Sequence, residues 1–299
     1  MSEEELIDEL INVTKKIDFE KKIKERQAII NQCPYHKNKL NDVRPEQTIY
    51  RIERFNYFLD NVKNKQLYFS WPGRKEWKDI FDGVFVRTPI DVKKGDIVGA
   101  RQSYDRDYFC QCWSCEELEI MWNLLSKNPY ETVMIVSTTD KIMRQIWTDE
   151  FCGKYVGLVE YHPIVDMRKE DFFQSVLGQS WEVFNETGMA RTFLFKPDSL
   201  SYEKEDRFIA RMKVGHGQQK EGITVCISGQ PQDYIDRILV DPRTSEAFES
   251  EVRKALSKYG LIVERSNKNR KDIEDSVISS YYQKSKDNYG LPKTYVFRE

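Results

Sequence analysis

Apolar residues between positions 3 and 31 (Leu6, Ile7, Leu10, Ile11, Val13, Ile17, Phe19, Ile23, Ile29, Ile30) recur at helical spacing among dense glutamate and lysine. The pattern predicts one long amphipathic helix or two. Cys33-Pro34 stops it, and 35–45 reads as a polar connector. From residue 48 the texture changes. Residues 48–51 and 66–70 read as strands, separated by a helix over 52–63 with Phe55, Phe58, Leu59 and Val62 on one face. Further strands are predicted at 84–87, 97–100 and 107–113. The last enters a helix over 114–126, with Ser114 as its N-cap and Glu116 and Glu117 in the first turn. A strand at 133–137 leads to a helix capped by Thr139 or Asp140 and running to Trp147, and 155–162 returns as a strand. Residues 166–190 read as loop with a helical turn. Strands follow at 192–196, 207–214, 223–228 and 234–240, then an amphipathic helix over 245–259 ended by Gly260, then a strand at 261–265. A charged tail closes with a last strand at 294–297. Strands and helices alternate irregularly, which predicts an α+β protein with a mixed sheet flanked by helices. Its parts are a helical N-terminal extension (1–45), an α+β domain (46–266) and a polar C-terminal tail (267–299).

The 299 residues carry 47 basic and 49 acidic side chains, a formal net charge of -2. Such a balance gives no overall attraction to nucleic acid or an anionic membrane, so any anion binding must be local. The start, Met-Ser-Glu-Glu-Glu-Leu, has neither a basic nor an apolar targeting segment. Nothing approaches the roughly 20 apolar residues of a spanning helix, so a cytoplasmic protein without membrane contact is expected. Six cysteines are sparse for this length and read as reduced thiols.

Cys110, Cys112 and Cys115 cluster, but no second pair accompanies them and His36, His162 and His216 are scattered. A structural zinc site needs about four such ligands, so buried thiols are the preferred reading and no metal is expected. Phosphate-loop, dinucleotide-loop and nucleophile-elbow motifs are absent from the sequence, which removes Walker-type NTPases, Rossmann dehydrogenases and α/β-hydrolases. Three places remain: Tyr50-Arg51 on a strand, Trp113-Ser114-Cys115-Glu116-Glu117 at a strand-to-helix junction, and Glu203-Lys-Glu205-Asp-Arg207. In extended backbone Glu203 and Glu205 share a face. Arginine grips phosphate bidentately, serine orients a neighbouring carboxylate, and a glutamate stabilises a developing cation. Taken singly each has an ordinary reading: a surface cation, a helix cap, a solvated strand face paired with Arg207.

Together these residues resemble a large bacterial domain family of unknown function, DUF2971. Its marks are an early Tyr-Arg strand, an L-Y-F-S strand followed by an F-N-D-P-F box, a central C-x-S stretch before a tryptophan, and a late W-x-x-E-x-E-x-R box. This chain has Tyr50-Arg51, Leu67-Tyr68-Phe69-Ser70, Trp77-Lys-Asp-Ile80-Phe81-Asp82, Cys112-Trp113-Ser114 with Met121-Trp122, and Leu200-Ser-Tyr-Glu203-Lys-Glu205-Asp-Arg207. Isoleucine stands where that family has the proline of its box, and Leu200 where it has tryptophan. The order of elements in turn resembles ADP-ribosyltransferase toxins of the DarT-like and R-S-E types. That resemblance implies an ADP-ribosyltransferase-like split sheet and NAD as the substrate that gives up ADP-ribose. It also implies roles. Glu205 becomes the catalytic glutamate, Glu203 its acceptor-facing partner and Ser114 the supporting hydroxyl, with Ser137 to Thr139 as a rival source. Arg51 faces the phosphates, Tyr50 or Tyr68 stacks on a ring, and Ser70 and Trp113 complete the NAD-facing set.

On this reading the chain is a toxin or anti-phage effector modifying RNA, DNA or protein, with the N-terminal helices available to an antitoxin or other protein partner. Lys63, Lys65, Arg74, Lys75 and Lys78 surround the aromatics Tyr68, Phe69, Trp71 and Trp77, and Lys268, Arg270 and Lys271 form a second basic set. Cations interleaved with aromatic platforms suit single-stranded nucleic acid. A non-catalytic binding module, with the E-x-E-x-R box as an ion-pair network, is the alternative. A nuclease is weaker, because Lys204 would fall on the opposite strand face.

Overall fold

The computed structural model describes residues 39–72, 107–126, 128–147, 151–167, 172, 186–213 and 220–268. The elements predicted at 3–31, 84–87, 97–100 and 294–297 lie outside them. In chain order the elements begin with β1 (Lys39–Leu40), β2 (Thr48–Arg54), α1 (Phe55–Asn64), β3 (Gln66–Ser70), β4 (Tyr108–Ser114), α2 (Glu119–Leu125) and β5 (Thr132–Thr138). Next come α3 (Thr139–Gln145), β6 (Ile146–Trp147), β7 (Phe151–Leu158), β8 (Glu160–His162), α4 (Ile164–Met167), α5 (Glu186–Arg191) and β9 (Phe195–Pro197). After these follow β10 (Glu205–Met212), β11 (Gly222–Ile227), α6 (Pro231–Tyr234), β12 (Arg237–Val240), α7 (Glu246–Ser257) and β13 (Val263–Arg265). Two 3-10 turns, Thr192–Leu194 and Asp198–Glu203, flank β9.

Among the described residues eleven strands form one sheet, ordered β1-β7-β10-β4-β2-β5-β12-β13, and β8 pairs with β9 in a separate two-stranded sheet. Pairs β1–β7 and β12–β13 are parallel and the other ladders of the large sheet antiparallel, so the sheet is mixed, as expected. It forks at β4. One edge of β4 pairs along its length with β10. The other edge is shared: Tyr50 of β2 opposes Ser114, while Ser70 of β3 opposes Cys110. From there β3 carries on to β11 and β6, forming a branch off the main order.

Alternation along the strands decides which helices cover which face. On one face Tyr108, Cys110, Ile209 and Tyr155 pack under Met189 and Ala190 of α5 and Phe193 and Leu194 of the following turn. Farther along that face, Tyr50, Ile52, Met134, Val136 and Leu239 pack under Met121 and Trp122 of α2. On the opposite face Trp113 meets Phe208 edge-on. There Phe58 and Val62 of α1 and Ile142 of α3 approach Trp113 and Ile135 closely enough to leave a gap of about 10 Å³.

Several boundaries move for identifiable reasons. β2 runs to Arg54 rather than yielding to a helix at 52, because every residue from Thr48 to Arg54 has a partner on β5. The strand predicted over 155–162 is two strands, broken at Val159, where the chain leaves the large sheet for the small one. Lys39 and Leu40, read as connector, pair with Val156 and Gly157 at the sheet's edge. The stretch predicted as a strand over 192–196 is a 3-10 turn followed by β9.

Candidate active site

The register places Tyr50, Ser114 and Glu205 in one row across β2, β4 and β10. Residues opposite one another in a sheet share a face. That row lies on the face covered by α5 and α2, and over it, between α2 on one side and Lys196 with the 3-10 turn Asp198–Glu203 on the other, is a cavity of about 310 Å³. Its volume falls at the lower end of the roughly 300–1,000 Å³ typical of small-ligand sites. Ile52, Ile120, Met121 and Leu125 supply an apolar wall, whereas Arg51, Lys196, Glu203 and Glu205 supply the charge. Tyr202 joins Tyr50 as a second tyrosine in the lining, and Trp113 borders it too.

Arg51 spans the fork. Beyond the Tyr50–Ser114 pair β2 and β4 have no further register partners, and the Arg51 Nη1 donates to the Cys112 carbonyl at 2.8 Å. Its Nε is buried with no hydrogen-bond partner among the described residues, so part of the guanidinium's donor capacity is uncommitted.

Glu205 is held from four directions. Arg207, two residues along β10 and 0% exposed, donates Nε to Oε1 at 2.7 Å and Nη2 to Oε2 at 3.1 Å. Lys196 on β9 brings its Nζ to 2.8 Å from Oε2. The Cys112 thiol also hydrogen-bonds this carboxylate, and the Glu205 backbone N–H donates to the Tyr161 hydroxyl at 2.9 Å. Burial alone would raise this carboxyl's pKa, but Arg207 and then Lys196 outweigh it and hold it well below the usual range. Glu203 is different. Burial, reinforced by the neighbouring Glu205 charge, raises its pKa in spite of Lys196, whose Nζ sits 2.6 Å from its Oε2. Its side chain keeps 34% of its exposure. Glu203 and Glu205 were expected on one extended segment. Instead Glu203 ends a 3-10 turn, and Lys204 adopts left-handed backbone (φ 43°) before β10 begins. The two carboxylates meet through Lys196, not through strand periodicity.

Ser114 is the last residue of β4 rather than a helix N-cap. It pairs on both sides, with Tyr50 and Glu205, and α2 starts only at Glu119. Its Oγ accepts from the Glu116 N–H at 3.3 Å. The rival hydroxyls do not line the cavity: Ser137 donates to the Tyr234 carbonyl at 2.5 Å, and Thr139 donates to Asp206 Oδ2 at 2.7 Å. Trp113 borders the cavity, yet its indole N–H donates to Gln111 Oε1 at 2.9 Å and its ring meets Phe208 on the opposite face. Tyr68 and Ser70 lie on β3 away from the cavity, the Tyr68 carbonyl accepting from Gln111 Nε2 at 3.1 Å. Phe69, read as a possible base platform, is 0% exposed and belongs to the core. Arg74, Lys75, Trp77, Lys78, Arg270 and Lys271 fall outside the described residues.

Sequence reasoning missed Lys196 and Tyr161, and named Cys112 and Asp206 only as members of their motifs, without a role. Lys196 carried a faint signal as the single cation in Phe193-Leu-Phe-Lys196-Pro197. Asp206 faces away from Glu205, 0% exposed, with Thr139 on one oxygen and no partner on the other. Burial, more than the nearby Glu205 charge, pushes its pKa up to about 7. Burial chiefly, with Asp206 and two glutamates adding, pushes the Cys115 thiol up to about 12. Among the described residues no three His, Cys, Asp or Glu side chains converge as metal ligands, and no helix is long and apolar enough to cross a membrane.

No family model and no curated protein matches the chain. Among solved structures, Thermus sp. 2.9 DarT in complex with ADP-ribosylated single-stranded DNA is similar at 13% identity, over 76% of this chain and 98% of that one, with a TM-score of 0.33. The same protein in complex with NAD+ is similar at 14% identity, over 74% and 96%, with a TM-score of 0.32. Likeness of that degree fixes neither a fold nor an activity, and what the site can do rests on its own geometry.

Proposed function

We propose that this chain is an NAD-dependent ADP-ribosyltransferase acting as a bacterial toxin or anti-phage effector, with nucleic acid, RNA or DNA, as acceptor and protein as the next class. The observation that carries the reading is the row Tyr50, Ser114, Glu205 on the cavity floor, with Arg51 and Glu203 on its walls. Five residues from three distant stretches of sequence meet at a single ligand-sized space. Their chemistry fits NAD as substrate. The Arg51 guanidinium suits a pyrophosphate oxygen, the tyrosines suit a planar ring, and an ionised carboxylate suits a ribosyl cation.

In this mechanism Arg51 holds the phosphates and Tyr50 the ring. Glu205, ionised and fixed in place, stabilises the positive charge at C1′ as the bond to nicotinamide breaks and its electron pair leaves with neutral nicotinamide. The acceptor's nucleophilic atom forms the new bond to C1′, and Glu203 takes the proton that atom loses. Glu203 has the raised pKa and the exposure of a group that exchanges protons; Glu205 has neither. Incubation of the purified protein with labelled NAD and either RNA, single-stranded DNA or cell protein tests this. Label moves to one acceptor class, and Glu203→Gln lowers transfer at least tenfold. Absence of nicotinamide release with every acceptor sinks the enzymatic reading.

One observation favours a second reading, a non-catalytic binding module: both oxygens of Glu205 already face cations, Arg207 and Lys196. In that case NAD, or nucleic acid, binds without turnover, and calorimetric titration detects the complex while nicotinamide release stays at background.

A further inference from the structure

The small sheet has no place in the mechanism above, yet the middle residue of each of its strands reaches Glu205. β8 and β9 are parallel, and Tyr161 is the register partner of Lys196. The Tyr161 hydroxyl accepts from the Glu205 N–H, and the Lys196 Nζ reaches the Glu205 carboxylate. The same ammonium lies 2.6 Å from Glu203 Oε2. Its side chain is 6% exposed. A buried lysine is costly to desolvate unless paired. Here it is shared between two carboxylates that line one cavity.

We propose that Lys196 is a positioning residue for the candidate site: its ammonium, clamped between Glu203 and Glu205, holds the Glu203 carboxyl at the cavity wall and sets its proton affinity. The assignment of the cavity as a catalytic site rests on the function proposed above; the clamp itself does not. Other charged or titratable groups face the pair from each neighbouring element. Arg207 of β10 binds Glu205, the Cys112 thiol of β4 touches it, Arg51 of β2 lines the same cavity, and Tyr161 of β8 takes its N–H. Lys204, beside Glu203 in sequence, pairs outward with Glu116. For Glu203, therefore, Lys196 is the nearby cation. Arg207 acts on it at longer range and comes last among the influences. Asp206 faces the other side of β10. Loss of the Lys196 ammonium leaves Glu203 beside the Glu205 anion with its largest opposing charge gone, so its pKa climbs further.

The test pairs a titration with a rate. Carboxyl carbon NMR of glutamate-labelled protein, with the Glu203 signal assigned from Glu203→Gln, gives its midpoint in the native chain, Lys196→Met and Lys196→Arg. The midpoint rises by about one pH unit or more in Lys196→Met and returns toward the native value in Lys196→Arg. Where NAD turnover is present, the acid limb of the kcat/KM profile shifts in the same direction by a similar amount. A purely structural lysine lowers the rate equally at every pH and leaves the midpoint in place, which overturns the proposal. If Lys196→Met does not fold, the nitrogen-15 signal of the Lys196 ammonium in the native chain decides. It titrates with the Glu203 midpoint and ceases to do so in Glu203→Gln, and an ammonium signal indifferent to Glu203 refutes the clamp. Should NAD turnover be absent while the Glu203 midpoint still follows Lys196, the catalytic reading fails and the clamp stands.

Discussion

Between Glu205 and Asp206 the backbone sends one carboxylate to each face of β10, and the two faces shift their pKa values in opposite directions. Asp206 has a folded-state pKa of about 7 against a usual value near 4. Between those limits the unfolded chain has released a proton that the folded chain retains. This group's contribution to stability is therefore present below about pH 4 and is lost as pH rises toward 7. Asp206→Asn keeps a partner for Thr139 and removes the titration. Its melting temperature exceeds the native value by several degrees at pH 8 and converges with it near pH 4, as thermal melts at both values will show. Glu205 acts in the opposite sense. Its depressed pKa adds stability above its usual carboxylate range, and that stability is lost as pH falls through the folded-state value. Glu205→Gln removes the carboxylate that pairs bidentately with Arg207, 0% exposed, at a cost of roughly 3–5 kcal/mol. Denaturant melts should place Glu203→Gln within about 1 kcal/mol of native, since its ion pair is partly solvated. Activity lost in Glu203→Gln then speaks to chemistry, whereas activity lost in Glu205→Gln requires a folding control.

At the level of elements, Gly157 shows how close the layers approach. A Cβ built there falls 2.4 Å from Leu194 Cδ1 and 2.8 Å from Leu40 Cβ. Leu194 can turn its side chain aside, but Leu40 cannot, so Gly157→Ala pushes β1 away from β7 and costs roughly 1–3 kcal/mol in a denaturant melt. Local signals were legible where they decide structure alone. The strand Gln66–Ser70 was read to the residue, because Leu67 and Phe69 face inward and their neighbours outward. Ser245, the first residue of the helix predicted over 245–259, caps α7, accepting from the Phe248 N–H at 3.2 Å. Ser114, predicted as a helix N-cap, lies in a strand, because pairing on both edges overrides a local preference. The break at Val159 was hidden, since the apolar run continues across it while the chain changes sheets. Of the proposed site, Tyr50, Arg51, Trp113, Ser114, Glu203 and Glu205 border one cavity. Lys196 escaped because its burial depends on the 3-10 turn Asp198–Glu203 folding Glu203 and Glu205 back onto its ammonium, which no local pattern announces.

For the described molecule as a whole, the fork at β4 explains why a cavity exists at all. A continuous ladder would seal β2 to β4, but Tyr50–Ser114 is their last register pair, and Arg51 bridges what lies beyond it. Arg51→Lys keeps the charge and loses the planar fork of donors. On the proposed function, steady-state kinetics should show KM for NAD rising roughly tenfold with kcat much less affected. The small sheet that grips Glu205 consists of two three-residue strands. Such a pair has little stability of its own, so it opens more readily than the eleven-stranded sheet beside it. On the proposed function, warming therefore silences this protein before it melts it. Heat inactivation has a midpoint several degrees below the loss of circular dichroism, and amide protons of β8 and β9 exchange early within that interval. Cooling from inside the interval restores activity at once, because the large sheet has kept the template onto which Tyr161 and Lys196 return.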